Sequence, residues 1–169
     1  MKKIIIFGRG DQAKVVLDCI KLMKNHKAIG FISDKRYDFS LLKQIKYLGS
    51  IKDLNKIIKK YNSKNLFGII AIGDNLKRKK ILLKVKKFDK NFKWVNVIHP
   101  SVIISPSVTI GSGNMIFAGS IISTETKVHN HVCINTGSFI DHNNTFHNFS
   151  STGPGVITGG NVTVGEQSF

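Results

Sequence analysis

From Ile98 onward the chain keeps time in sixes. Large apolar side chains fall at Ile98, Ile104, Ile110, Ile116, Ile122, Val128, Ile134, Ile140 and Phe146, nine steps in succession, followed by Thr152, Thr158 and Val164. Two residues ahead of most of these rungs stands Val or a small polar residue, as at Val102, Val108, Ser120, Thr126 and Val132. One residue after several of them stands Gly, Asn or Asp: Gly111, Asn135, Asp141, Gly153, Gly159 and Gly165. Helices repeat near 3.6 and simple strands at 2, so a period of six is neither. It marks a solenoid of hexads. Each hexad predicts one short strand and one tight turn, three hexads predict a triangular coil, and twelve rungs predict four coils. The rung side chains point inward and stack, each burial contributing roughly 1.5–3 kcal/mol. The Gly, Asn and Asp positions are expected at turns that need positive φ. An ordinary β-sandwich would require nine apolar residues to fall in step by accident.

The first 95 residues follow a different rhythm. Lys2 to Phe7 is an apolar run with charge only at its entry, and Gly8-Arg9-Gly10-Asp11-Gln12-Ala13 follows it. A helix is predicted next, with Ala13, Val15, Val16, Cys19, Ile20 and Met23 on one face. Strand, glycine turn and helix form the opening of a Rossmann-like unit, in which the helix N-terminus offers free N–H groups to a phosphate. A plain strand-to-helix turn reads the same way. Ala28 to Ser33 predicts a second strand, ending at Asp34-Lys35, where an acidic residue often meets a nucleotide. Ser50 and Asp53 form a box-like cap for a helix over Ile51 to Tyr61. Leu66 to Ile72 predicts a third buried strand, ending at Gly73-Asp74-Asn75. A lysine-rich helix to Phe88 follows, with Ile81, Leu82, Val85 and Phe88 as its apolar stripe and the lysines as a solvated face. Phe92 to Ile98 predicts a last short strand. Alternating strands and helices predict a parallel sheet, so the chain divides into an α/β domain over 1–95 and a β-helix over 96–169.

Composition narrows the function classes. The formal net charge is +16, but the excess is nearly all lysine, lies mainly ahead of the solenoid, and has no interleaved aromatic residues. That pattern argues against nucleic-acid binding and leaves a general attraction for anionic small molecules. No apolar run is long enough for a membrane span, and the N-terminal run is too short for a signal peptide. Cys19 and Cys133 are far apart and read as free thiols, which predicts a reducing, cytoplasmic setting. His129 and His131 lack Cys or carboxylate companions at ligand spacing, so no metal site is expected.

Four strings together carry a resemblance: IIIFGRGDQAKVVLD, AIGDNLKRKKI, NVIHPSVIISPSVTIGSGN and INTGSFIDHN. With the hexads they resemble the bacterial sugar O- and N-acetyltransferases of the hexapeptide-repeat type, which act on sialic acid or on nucleotide-linked 4-amino sugars. The resemblance covers essentially the whole chain. It implies a Rossmann-like domain followed by a left-handed parallel β-helix, the handedness coming from the resemblance and not from the spacing. It implies acetyl-CoA as co-substrate, a sugar or nucleotide sugar as acceptor, and a homotrimer whose neighbouring β-helices form the coenzyme groove. His142 stands where the family has its general base, a role suited to an imidazole at neutral pH. Asn143 occupies the next position, where the family often has an acidic residue. Asn135, Ser151 and Gly160 would line the acetyl end, Ser151 standing where a second histidine is common. Gly10, Asp11, Gln12, Asp34, Lys35 and Gly73 would meet the sugar nucleotide, although the family usually has Gly-Gly-His where this chain has Gly10-Asp11-Gln12. The chain ends at Phe169, just past a rung, where relatives continue, which predicts a C-terminally incomplete β-helix. The competing reading is a catalytically impaired or truncated trimeric scaffold of the same fold.

Overall fold

The computed structural model describes residues 1–34, 45–61 and 63–169, and contacts divide the chain into two units, Met1–Val95 and Asn96–Phe169. In the first unit, β1 (Lys2–Phe7) is buried from Ile4 onward. The Gly8-Arg9-Gly10 turn leads into α1 (Asp11–Leu22), which buries Ala13, Val16, Leu17, Cys19 and Ile20. Val15, expected on that face, is exposed, and Leu17 is buried instead. β2 (His26–Ile32) and β3 (Tyr47–Gly49) follow. Ser50 and Asp53 form the expected cap, with Ser50 N and Oγ both donating to Asp53 Oδ2 at 2.9 Å. A 3-10 turn, Ile51–Asp53, runs into α2 (Leu54–Tyr61), then β4 (Leu66–Ile70) and α3 (Asn75–Phe88). The sheet is parallel with order β3-β2-β1-β4, the arrangement of a Rossmann half. On α3, Leu82 and Val85 are buried as expected, but Phe88 is exposed and Arg78 is fully buried.

The strand expected over Phe92 to Ile98 is divided. In the first unit Trp94 makes a single parallel bridge to Gly68, with Gly68 N donating to the Lys93 carbonyl at 2.9 Å and Val95 N to the Gly68 carbonyl at 3.0 Å. Phe7, Phe92 and Trp94 pack ring against ring at centroid distances of 5.2–5.8 Å. A side chain at Gly68 would collide with Phe92 and Phe7 at 2.6 and 2.7 Å. Val97 and Ile98 belong to the second unit.

That unit is a parallel β-helix of two-residue strands: β5 (Val97–Ile98), β6 (Ile103–Ile104), β7 (Thr109–Ile110), β8 (Met115–Ile116), β9 (Ile121–Ile122), β10 (Lys127–Val128), β11 (Cys133–Ile134), β12 (Phe139–Ile140), β13 (Thr145–Phe146) and β14 (Thr163–Val164). They form three flat sheets, β11-β8-β5, β12-β9-β6 and β14-β13-β10-β7. Every pairing joins residues 18 apart, as Val97↔Met115 and Ile104↔Ile122. The predicted rungs fill the interior: Ile116, Ile122, Val128, Ile134, Ile140 and Phe146 form one buried cluster with Val132.

The fourth coil adds only the bridges Cys133↔Ser151 and Phe139↔Ile157 to two of the sheets. The threonine rungs account for this. Asn135 N donates to the Thr152 hydroxyl at 2.9 Å, and Asp141 N to the Thr158 hydroxyl at 3.1 Å. A side-chain oxygen thus receives the amide that a strand carbonyl receives elsewhere in the ladder.

The corners correct one expectation. Positive φ occurs at Gly113, Gly119, Glu125, His131, Gly137, Asn143, Phe149, Gly155, Asn161 and Gln167, again one residue in every six. These residues lie three places after each rung from Ile110 onward. Gly111, Gly153, Gly159 and Gly165, expected at the positive-φ turns, have no positive φ. From Gly119 onward each left-handed corner donates its N–H to the preceding coil, Gly119 and Glu125 to the hydroxyls of Ser101 and Ser107, and the later ones to carbonyls, as His131 to Ser112 and Asn143 to Thr124, both at 2.9 Å. That bond helps hold Glu, His, Asn, Phe and Gln in a conformation most side chains avoid.

Candidate functional site

The first unit carries a basic cavity of about 480 Å³. Its walls come from the β1–α1 turn (Gly8, Arg9, Gly10), the end of β2 (Ser33, Asp34) and one face of α3 (Lys77, Lys80, Ile81, Lys84). Gly8 has φ +134°, and a side chain there would strike the Ala71 carbonyl at 2.5 Å, so the turn closes directly against the end of β4. Gly10 caps α1 with backbone alone, and Asp11 forms an exposed ion pair with Lys14 at 3.0 Å.

Of the residues expected at the sugar nucleotide, Gly10 and Asp34 line this cavity. Gln12 and Gly73 face one another beside it: a Cβ on Gly73 would lie 3.8 Å from Gln12 Oε1. Lys35 lies outside the described residues. Asp34 also has structural work. Its Oδ1 accepts from Ile51 N and its Oδ2 from Lys84 Nζ, both at 3.0 Å. Burial pushes the Asp34 carboxyl upward, but the Ile51 hydrogen bond, the Lys84 bond and charge, and the Lys52 charge together hold it below the usual carboxylate value.

Sequence reasoning missed Arg9 and the three lysines as cavity residues. The available signal was the spacing of Lys77, Lys80 and Lys84, which places them on one side of a helix.

In the second unit His142 sits at the corner between β12 and β13. Its backbone N–H donates to Asp141 Oδ1 at 2.8 Å, and its carbonyl accepts from Asn161 N at 3.0 Å. In the tautomer protonated at Nδ1, the ring donates to Asn143 Oδ1 at 2.8 Å. Asn143 has φ +58°, and that left-handed backbone accompanies a carboxamide placed beside the preceding imidazole. The bond leaves Nε2 with its lone pair, the form a general base requires. Beneath the ring lies Gly160 of the next coil, where a Cβ would stand 2.6 Å from Nε2. Fully buried Asn144 ties the two coils together. Its Nδ2 donates to the carbonyls of Asp141 (2.6 Å) and Gly159 (3.0 Å), while its Oδ1 accepts from Val162 N (2.9 Å). Asn144 was not singled out from the sequence, because its spacing gives it away only as a position two before a rung.

His142, Asn143 and Gly160 are therefore brought together. Asn135 and Ser151 are not part of that corner. They lie on the sheet of β11, where Cys133 bridges Ser151 and Asn135 Nδ2 donates to the Thr152 carbonyl at 3.3 Å. His129 and His147 stack on each other at 5.1 Å, one coil apart, just after β10 and β13. Among the described residues, no three His, Cys, Asp or Glu side chains gather as a metal site, and no helix is long and apolar enough to cross a membrane.

Comparison with known proteins agrees with both units. Residues 3–85 match the PglD N-terminal domain family. UDP-N-acetylbacillosamine N-acetyltransferase of Bacillus subtilis (strain 168) is 30% identical over 121 residues, covering 70% of this chain and 52% of the relative. The chain thus spans about half the length of that curated relative. Among solved structures, the acetyltransferase domain of PglB from Neisseria gonorrhoeae FA1090, in complex with acetyl coenzyme A, superposes with a TM-score of 0.86 at 25% identity, covering 98% of this chain and 77% of that one. PerB from Caulobacter crescentus, in complex with CoA and GDP-perosamine, gives 0.85 at 28% identity, covering 99% and 76%. Residues 3–85 thus belong with the PglD N-terminal domain family, and the whole chain shares the fold of the bacterial sugar acetyltransferases it superposes on, a Rossmann-like α/β unit followed by a parallel β-helix of hexapeptide repeats.

Proposed function

We propose that this protein transfers an acetyl group from acetyl-CoA to an amino or hydroxyl group of a sugar or nucleotide sugar, in the biosynthesis of bacterial surface glycans. The observation that carries this reading is the His142 corner, with Nδ1 engaged by Asn143 and the ring seated over Gly160. His142 Nε2 takes the proton that the acceptor sheds as it attacks the thioester carbonyl. The imidazolium then returns that proton to the departing thiolate, so no acyl-enzyme is needed. General base help of this kind contributes about 10²–10⁴-fold. Asn143 fixes the ring without adding charge. The basic cavity of the first unit supplies the complementary charge for the anionic part of a nucleotide sugar. The supply of acetyl-CoA and the two buried free thiols, Cys19 and Cys133, suit a cytoplasmic reaction.

The working form is a homotrimer. Ile103, Ile121, Phe139 and Ile157 project from the sheet of β6, β9 and β12 as one column, with exposures of 63, 37, 44 and 73%. A stacked apolar column on a flat face is a surface for another protein, and the His142 corner follows directly after that face. A neighbouring copy offers the route by which Asn135 and Ser151 reach an acetyl group held at His142.

The deciding experiment is acetyl transfer from acetyl-CoA to nucleotide-linked 4-amino-4,6-dideoxy sugars, with His142→Ala as the comparison. Loss of at least about 100-fold in kcat is expected. Undiminished turnover in His142→Ala would remove the mechanism.

A further inference from the structure

Among the described residues, Arg78 is the largest side chain that is buried without trace of exposure. It stands in the first turn of α3, on the face where an apolar residue is expected. Its Nη1 donates to two successive backbone carbonyls, Ile72 at 3.1 Å and Gly73 at 2.7 Å. Those oxygens belong to the turn between β4 and α3. Ile72 lines the basic cavity, and Gly73 faces Gln12 across the start of α1.

Stability alone explains this poorly, because burying a guanidinium carries a desolvation penalty that an apolar residue of similar volume avoids. A fixed turn explains it better. Two carbonyls bonded to a buried cation aim their lone pairs into the protein interior. Left unheld, either oxygen could swing toward the cavity, where it would oppose the negative charge that Arg9, Lys77, Lys80 and Lys84 attract. Arginine suits the task because its planar guanidinium is rigid and pre-organised and fixes the two N–H bonds of Nη1 in one geometry, whereas lysine carries a rotating ammonium on a flexible stem.

We propose that Arg78 is a positioning residue for the nucleotide part of the acceptor: it locks the Ile72–Gly73 turn so that the cavity wall accepts an anionic ligand. The inference rests on the nucleotide-sugar reading given above. Arg78→Met keeps an unbranched side chain and most of the bulk without the hydrogen bonds, and Arg78→Lys restores charge without the planar guanidinium. For Arg78→Met the KM for the nucleotide sugar rises about tenfold, with kcat and the KM for acetyl-CoA little changed, the mark of lost ground-state binding. Arg78→Lys lies between Arg78→Met and wild type, and the melting temperature of Arg78→Met stays at or above wild type. Wild-type KM values in Arg78→Met would overturn the proposal. So would a parallel worsening of both KM values, kcat and melting temperature, the signature of a merely structural role. Should Arg78→Met fail to fold, Arg78→Lys carries the same comparison.

Calorimetric titration with UDP and GDP separates this proposal from the catalytic one. Weaker nucleotide binding in the Arg78 variants and unchanged binding in His142→Ala support it even where no acetyl transfer is seen. A wild-type protein that binds neither nucleotide overturns it.

Discussion

Gly160 lies directly beneath the imidazole of His142, so close that a methyl group on it would stand 2.6 Å from Nε2. The two residues come from successive coils, joined by the bond from Asn161 N to the His142 carbonyl at 3.0 Å. Gly160→Ala therefore pushes the ring from its seat without touching the backbone ladder. Displacing a catalytic group by about 1 Å can lower turnover on the order of 100-fold. Steady-state kinetics will show that loss in kcat, while circular dichroism and melting stay near wild type. An alanine variant with full turnover would show that the seat is unimportant.

Asn143 holds His142 Nδ1 without a charge. Asn143→Asp places a carboxylate at the same bond, and Asp tolerates the left-handed backbone at φ +58°. A nearby negative charge favours the imidazolium, so the acidic limb of the kcat/KM profile moves to higher pH. A profile that coincides with wild type would mean that this contact does not tune the base.

Phe146 fills the interior of the coil at 0% exposure, at the end of the uninterrupted apolar rungs. Phe146→Ala leaves a cavity between stacked coils and destabilises the β-helix by about 3–5 kcal/mol. Urea unfolding followed by circular dichroism measures it. A loss under 1 kcal/mol would imply that the coils collapse around the gap, contrary to a rigidly stacked interior.

Phe139 and Ile121 stand side by side in the exposed column of one sheet. Phe139→Lys and Ile121→Lys place charge in the surface proposed to join copies, so light scattering after gel filtration will show monomers in place of the proposed wild-type trimer. Trimers that survive both substitutions would shift the interface to another face.

Cys19 is buried in α1, and burial pushes its thiol from 9.0 up to about 11. A raised value means the folded state favours the neutral thiol. Its contribution to stability is complete below pH 9 and is lost as pH climbs toward 11. The urea midpoint falls between pH 8 and pH 10.5 by more in wild type than in Cys19→Ala. Equal falls in the two proteins would rule out this thiol as a source of alkaline sensitivity.

The rungs were legible because an apolar interior stacked at one interval leaves no freedom in the sequence: Ile98 to Phe146 announce it position by position. The corners were hidden. A left-handed residue secured by its own N–H bond to the preceding coil can be Glu125, His131 or Phe149 as well as glycine, so residue type did not mark the turn. The short edge strand β3 was overlooked because three residues carry no period. In the first unit the alternation of strand and helix was plain from apolar runs. The three lysines lining the cavity were assigned to solvent because composition offers no way to tell a solvated face from a basic wall. Arg78 escaped notice for the opposite reason: a cation buried against backbone carbonyls has no signature in hydropathy. At the second site, His142 and Gly160 lie 18 residues apart, and the coil period explains their meeting. The same period explains why Ser151, nine residues from His142, lies on a different sheet.

Because every strand of the β-helix pairs with residues 18 places away, that unit can change length in only one increment without turning its faces. A whole coil inserted ahead of β12 would lift the His142 corner by one strand spacing, about 4.8 Å, and leave its azimuth unaltered. A single added hexad would keep the interior just as apolar and the ladder just as complete, yet rotate the histidine by a third of a revolution. Length variation among such proteins is therefore filtered by geometry around an axis, in a currency of eighteen.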